Sequence, residues 1–340
     1  MKNYINTISN RVWLLAITIV TTVILVAACT DQPSKFKPRA IGSPGELLVV
    51  IEDEHWLSES GKLLKELLKD EFPALPQQEL LFRKTRIAFG QFERHFRTYR
   101  NVLLVSVRPD INAGRVNYRR QEWAKNQSVV EVVSPTIEEL GSLLEQKWPT
   151  IKGFFYNGDI RAMASSYTNL YQPEAVKHIE DNYPFSLYFP KGFKLKKSDG
   201  QFSWLDDERM GSQLGILVYR CPLDSIDNFD ADGLLQFRNN LLCQQIPGEY
   251  EGSFMSTEEN YPVSVRKTKF ADRQWTELRG LWKVQGDFMG GPFVDFFYED
   301  KENNELLMLS GYVYAPSKAL KGILVREVEA VLKTIELKEL

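Results

Sequence analysis

Histidine and cysteine are both scarce here, three of each in 340 residues. His55, His95 and His178 lie far apart in the chain and none stands beside a cysteine. Zinc is held chiefly by these two residue types, so a structural or catalytic zinc site is disfavoured. The chain also lacks a glycine-rich phosphate loop, a Gly-x-Ser-x-Gly elbow and a His-Glu-x-x-His pair. The commonest nucleotide, acyl-transfer and metalloprotease signatures are therefore missing. A triad through one of the histidines stays open, because triads are defined by geometry rather than spacing. Neither sign of charge dominates: 42 Lys and Arg stand against 45 Asp and Glu, a net charge of −3. That excludes a general nucleic-acid footprint. No internal repeat or extended low-complexity tract appears.

Long apolar runs are missing too, with one exception. Val12 to Ala28 is uninterruptedly free of charge, behind Lys2 and Arg11. Seventeen helical residues span about 25 Å, short of the ~30 Å hydrocarbon core. A cationic start, an apolar stretch and the small residues of Leu25-Val26-Ala27-Ala28 make a secretory signal. Cys29 follows at once, and the segment resembles the bacterial lipobox. That resemblance implies a diacylglycerol on the Cys29 thiol and cleavage before it. Ordinary secretory cleavage would leave Cys29 an exposed thiol, a liability in an oxidising compartment. Acyl chains would attach the protein to the membrane through its N-terminus.

Thr30 to Pro44 carries Pro33, Pro38 and Pro44 with three basic residues and no periodicity. It reads as a tether. Thr30 stands where an inner-membrane retention signal would place Asp, and Asp31 alone is acidic where a surface-export signal would place a cluster. Both point to an outer-membrane protein facing the periplasm. Removing residues 1–28 takes away two basic and no acidic residues, moving the net charge from −3 to −5. The remaining Cys221 and Cys243 read either as a disulfide or as two buried thiols.

Apolar residues at 43% and aromatics at 12% suffice for a globular core. Glu46–Ile51, Asn101–Val107 and Ser128–Val133 predict buried strands. Leu57, Leu64, Leu67 and Leu68 predict a helix between the first two. Ser134 with Pro135 predicts the start of another, with Ile137, Leu140, Leu144 and Trp148 on its apolar face. Residues 45–172 thus read as a small α/β domain. Beyond 182 the pattern changes. Phe185–Phe189, Phe202–Trp204, Leu214–Tyr219, Ser264–Phe270, Thr276–Val284, Val294–Tyr298 and Leu306–Tyr314 predict strands. Helices are expected over Asp232–Leu242 and Ser317–Leu332. Residues 182–340 read as an α+β domain, an antiparallel sheet with a central and a C-terminal helix, so the class for the whole chain is α+β. The order is loosely similar to the PsbP/Mog1-like fold.

Three local features invite functional readings. Asn228-Phe-Asp230-Ala-Asp232-Gly233 touches the calcium-loop pattern, but position twelve is Asn239 where a bidentate Glu belongs. Asp230 or Asp232 capping the following helix is the better account. Arg83 to Arg120 holds ten basic residues against Glu93 and Asp110. Arg94, Arg97 and Arg100 are either a contact for an anionic surface or a solvated helix face over aromatic core residues. Gly286 to Phe293 joins two strands, and its Phe288, Met289 and Phe293 could form an apolar partner-docking tip or fold back on the core. Ile246-Pro247-Gly248 marks a helix stop.

Several of these segments together resemble a known family. Cys29 with its lipobox, Asp230-Ala-Asp-Gly-Leu-Leu, Ile246-Pro-Gly, Arg279-Gly-Leu-Trp282 and Met289-Gly-Gly-Pro-Phe293 are similar to the domain of unknown function 4837 family, found mainly in Bacteroidota. The resemblance implies residence in the cell envelope and no assigned activity, cofactor or catalytic residue. The expectation is a non-enzymatic envelope lipoprotein that binds a protein or polymer partner. Two alternatives remain: a hydrolase acting on envelope polymers through paired carboxylates, and a lipid-handling module with an apolar cavity.

Overall fold

A computed structural model describes residues 37–226 and 228–337. Cys29 and the first part of the tether lie outside the described residues. Residues 39–340 form one compact unit.

The chain opens with β1 (Glu46–Val50), α1 (Asp53–Leu57), α2 (Glu59–Leu67), β2 (Arg83–Ile87), β3 (Asn101–Val107), β4 (Arg115–Arg120) and β5 (Ser128–Ser134). These strands make a five-stranded sheet in the order β2-β1-β3-β5-β4, parallel except for the β4 edge. The continuous apolar runs of β1, β3 and β5 are buried on both faces, as parallel strands are. Helix α3 (Ile137–Asn169) lies along one face. The opposite face is closed by the segment from 88 to 100, whose Phe89, Phe92, Phe96 and Tyr99 pack on Val102, Leu104 and Val129. This basic segment holds two short 3-10 turns, so of the two expected readings the helix face does not form.

Ser134 ends β5, and Thr136 caps α3 by accepting from the Glu139 amide at 3.3 Å. The expected Ser134 cap is thus displaced by two residues, because Ser134 is still paired with Val107. α3 runs for 33 residues with Pro149 inside it. A proline within a helix costs about 3 kcal/mol. Burial of Leu144, Trp148, Ile151 and Phe155 along one face offsets this at about 1.5–3 kcal/mol each.

The second half continues with α4 (Pro173–Asn182), β6 (Phe185–Ser186), β7 (Lys194–Ser198), β8 (Phe202–Arg209), β9 (Ser212–Pro222), α5 (Ala231–Gln245), β10 (Phe254–Thr257), β11 (Ser264–Phe270), β12 (Arg273–Gln285), β13 (Gly290–Asp300), β14 (Glu305–Tyr314), α6 (Gly322–Leu332) and β15 (Glu336–Leu337). Eight strands form an antiparallel sheet in the order β10-β12-β13-β14-β9-β8-β7, with β11 also on β12. The α+β expectation holds for this region. α5 starts at the N-cap Asp230, which accepts from the Gly233 amide at 2.9 Å, and it covers a core of Phe202, Leu278, Trp282, Phe293 and Met308. α6 covers the other face and also meets α3, so one continuous core joins Leu103, Leu144 and Phe155 to Val294, Leu309 and Val328.

Buried charge ties the elements together. The Asp159 carboxylate on α3 accepts from the Gly45 amide at 2.7 Å and the Asn101 side chain at 3.0 Å. Arg326 of α6 lies 3.8 Å from it and donates to the Leu81 carbonyl at 2.7 Å. Burial pushes the Asp159 carboxyl above the usual range, and Arg326 only partly offsets that. In the second core Arg238 of α5 donates to Asp295 of β13 at 2.7 Å and sits 3.7 Å from the centre of the Phe293 ring, all three enclosed.

Candidate functional site

A cleft of about 300 Å3 lies between α3, the connection from 71 to 81, and the β11–β12 hairpin. Pro149, Lys152, Gly153, Tyr156 and Asn157 recur at the three- and four-residue spacing of one helix face. Ser264 and Arg266 on β11 stand opposite Arg279 and Glu277 on β12. Residues two apart on a strand share a face, so all four side chains reach the same wall. A Cβ built on Gly153 would meet nothing within 4 Å, which leaves the helix backbone open to the cleft.

The floor is a chain of ion pairs. Arg266, at the mouth, grips Glu277 with two hydrogen bonds of 2.7 and 2.9 Å. Arg279, which is 3% exposed, donates to Glu277 and to Glu329 at 2.6 Å each. Lys333 pairs with the other Glu329 oxygen at 2.7 Å, and the Tyr156 hydroxyl donates to Glu329 at 2.5 Å. Such two-point arginine contacts are the strong class of charged hydrogen bond. Burial alone would push both glutamates up. Arg279 and Lys333, with the Tyr156 hydroxyl, together outweigh burial at Glu329, and Arg279 and Arg266 together outweigh it at Glu277, so both lie below the ordinary carboxylate range. Burial holds the Tyr156 hydroxyl well above its usual value. Arg279 is raised far above the arginine norm by Glu329, Tyr156 and Glu277 despite its burial.

At neutral pH, then, Glu277 and Glu329 are carboxylates and Tyr156 is neutral. None of the three is tuned for proton transfer near neutrality, and all are fixed hydrogen-bonding groups. The raised carboxyl that paired-carboxylate chemistry requires is not supplied by Glu277. Asp206, whose carboxyl is raised by burial, lies on β8 with Gln213 and Lys196, outside the cleft. A serine–histidine contact does occur: His178 Nε2 is 2.9 Å from Ser203 Oγ, which also accepts from Tyr183 at 2.9 Å. Ser203 is completely buried, so the hydroxyl has no route to a substrate.

The residues singled out from sequence are scattered. Cys29 lies outside the described residues. Cys221 and Cys243 are free thiols, not a disulfide: Cys221 is buried on β9 and Cys243 exposed on α5. Arg94 and Arg97 are exposed, whereas Arg100 is half-buried and donates to the Gly42 carbonyl at 3.3 Å. The expected docking tip divides. Phe288 stands fully in solvent and Met289 packs on the second core. Phe293 is 1% exposed beneath Arg238, because its strand position faces α5. His55 is buried on α1 and His95 exposed before the second 3-10 turn. Among the described residues no three of His, Cys, Asp and Glu gather as a metal site, and no helix is long and apolar enough to cross a membrane.

The cleft itself was not read from the sequence, although a signal was present. Glu277 and Arg279 interrupt an otherwise apolar strand, Trp275-Thr-Glu-Leu-Arg-Gly-Leu-Trp282, at positions that face inward.

Comparison with known proteins divides the chain at the α3–α4 junction. Residues 172–334 match the family model described as domain of unknown function DUF4837, and residues 40–168 match a second, DUF8532. No curated protein matches the chain. Among solved structures it is similar to the Saccharomyces cerevisiae Ran-binding protein Mog1p, at 10% identity over 46% of this chain and 91% of that one, with a TM-score of 0.31. It is also similar to LpqN, described as involved in cell envelope biogenesis of Mycobacterium tuberculosis, at 12% identity over 44% and 82% of the two chains, TM-score 0.26.

Proposed function

For a chain whose C-terminal part belongs to the DUF4837 family and which carries a second domain of unknown function ahead of it, we propose a lipid-anchored envelope protein that works by binding. In this reading Cys29 is acylated, the compact unit faces the periplasm from the outer membrane, and the cleft receives a polar segment of an envelope protein or polymer. The observation that carries it is the composition of the cleft. Both family domains line it, Lys152 and Tyr156 from one and Arg266 and Arg279 from the other. Its donors are held in place by partners that are themselves fixed, which favours recognition by lowering the cost of ordering.

Two features weigh against the alternatives. The cleft is at the low end of the roughly 300–1,000 Å3 typical of small-ligand sites, and its floor is charged, which suits a carboxylate, phosphate or hydroxyl better than an acyl chain. Catalysis by two carboxylates is disfavoured because Glu277 is held ionised between two arginines. The test is a photo-crosslinking residue at Gly153, where a side chain has room, with Ser142, about three turns earlier on α3 and beside Gly114 rather than the cleft, as control. Irradiation of the native envelope is expected to give a discrete adduct at 153 and none at 142. No adduct at 153 above the control would overturn the reading.

A further inference from the structure

The basic run remains unused by the cleft, and the fold gathers part of it at one end of the five-stranded sheet. Arg100 precedes β3, and Arg120 ends β4 opposite Ser128, the first residue of β5. Arg161 of α3 reaches the same place: a Cβ on Gly158 would lie 2.1 Å from Ser128 Oγ and 3.7 Å from Arg161 Nη2. Gln127 binds the neighbouring loops, donating to the carbonyls of Arg97 and Tyr99 and accepting from the amides of Trp123 and Ala124. The incoming chain joins here as well, since Arg39 bridges to Lys125 and the Ile41 amide donates to the Thr98 carbonyl. Arg39, Arg97, Arg100, Arg120, Lys125 and Arg161 therefore surround one sheet end.

Local acids offset only part of this charge. Asp159 is enclosed and lies 4.0 Å from Arg100, Glu122 pairs with Arg119, Glu46 pairs with Arg83, and Glu93 is exposed. Arg97, Arg120 and Arg161 have no carboxylate within ion-pair reach among the described residues. Arg97 and Arg120 instead stand 5.9 and 5.8 Å from the Phe92 and Phe154 rings, and Arg161 is pressed by Arg120.

We infer that this end of the sheet is the face apposed to the membrane, where Arg97, Arg120 and Arg161 contact anionic lipid headgroups. Chain entry and charge both favour it. Arg39 is ten positions after Cys29, a reach of at most about 33–36 Å, so an acylated Cys29 keeps this end of the unit near the bilayer. A basic surface held within a Debye length of about 8–10 Å of an anionic leaflet is attracted to it. The placement rests on the anchor proposed above. The headgroup contact does not, so it is tested without the anchor.

The probe is the chain from Thr30 onward, which contains the whole compact unit, sedimented with vesicles of phosphatidylethanolamine and phosphatidylglycerol at 3:1. Each basic residue near an anionic surface is worth about fivefold in partitioning. Arg97→Ala/Arg120→Ala/Arg161→Ala is therefore expected to lower binding on the order of 100-fold. An equal loss of charge at exposed sites elsewhere, Lys62→Ala/Lys194→Ala/Lys301→Ala, is expected to change it little. Binding should weaken with salt and be nearly absent on phosphatidylcholine vesicles. Retention of binding by the arginine variant, equal binding to neutral vesicles, or equal losses in the two triple variants would overturn the inference. Matching thermal melts of the variants separate loss of contact from loss of fold.

Discussion

Replacing Arg279 with methionine tests whether the floor of the cleft also holds the two halves together. Tyr156 belongs to α3, Arg279 to β12, and Glu329 to α6, so one guanidinium joins a helix of the first half to two elements of the second. Methionine keeps most of the stem volume, which limits the cavity contribution. Glu277 would retain its two bonds to Arg266, whereas the enclosed Glu329 would keep Lys333 and Tyr156. Removing one partner of a buried ion pair costs about 3–5 kcal/mol. For a unit of this size, at about 2 °C per kcal/mol, that lowers the melting temperature by roughly 6–10 °C. The coupling is measured by a double-mutant cycle with Glu329→Gln, where the double variant should cost less than the sum by about 0.5–3 kcal/mol. Urea denaturation gives the energies, and hydrogen exchange shows where they act. Amides of β3 and β13 are expected to lose protection in parallel. A cost below about 1 kcal/mol, additivity in the cycle, or loss confined to β11–β14 would refute the reasoning.

Three further outcomes follow from the same contacts. Asp295→Ala should cost about 3–5 kcal/mol by stranding Arg238, while the paired change Arg238→Met/Asp295→Leu should be nearly neutral or stabilising, as read from urea midpoints. Acid should erode the cleft: Glu329 and Glu277 are depressed, so their stabilisation is present above the unfolded glutamate value near 4.3 and is lost as pH falls through their folded values. The cost of Glu329→Gln measured at pH 7 should therefore shrink at pH 3, and an unchanged cost would contradict the assignment. Maleimide should label Cys243 in the native protein and Cys221 only after unfolding, since Cys221 is buried and its thiol is pushed up by that burial.

Strands with apolar runs were legible because burial on both faces leaves an unbroken pattern: Asn101–Val107 has the bounds expected from composition. Ser264–Phe270 also has its expected bounds, although it is a charged and largely exposed edge strand. β2 and β4 were not expected, since Arg-Lys-Thr-Arg-Ile and Arg-Val-Asn-Tyr-Arg-Arg carry charge at half or more of their positions. Edge strands can do so because one flank stays in water. For the basic run a solvated helix face was one of two readings, and the segment instead forms short 3-10 turns over the aromatic residues. Phe288 and Phe293 were treated alike although hairpin geometry puts one in solvent and the other under α5. The cleft required long-range pairing. Tyr156 and Glu329 are 173 residues apart, a relation that no local pattern encodes.

The edge strands carry one more consequence. β2 has Arg83, Lys84 and Arg86, β4 has Arg115, Arg119 and Arg120, β7 has Lys194, Lys196 and Lys197, and β11 has Arg266, Lys267 and Lys269. The short, uncharged edge β10 is packed against α5 instead. A second copy adding its own edge would set cation against cation, which opposes strand exchange between molecules. Under the proposed lipid anchor, copies would meet in two dimensions and at high local density. The cationic edges at β2, β4, β7 and β11 would let copies crowded by that anchor come close without knitting together.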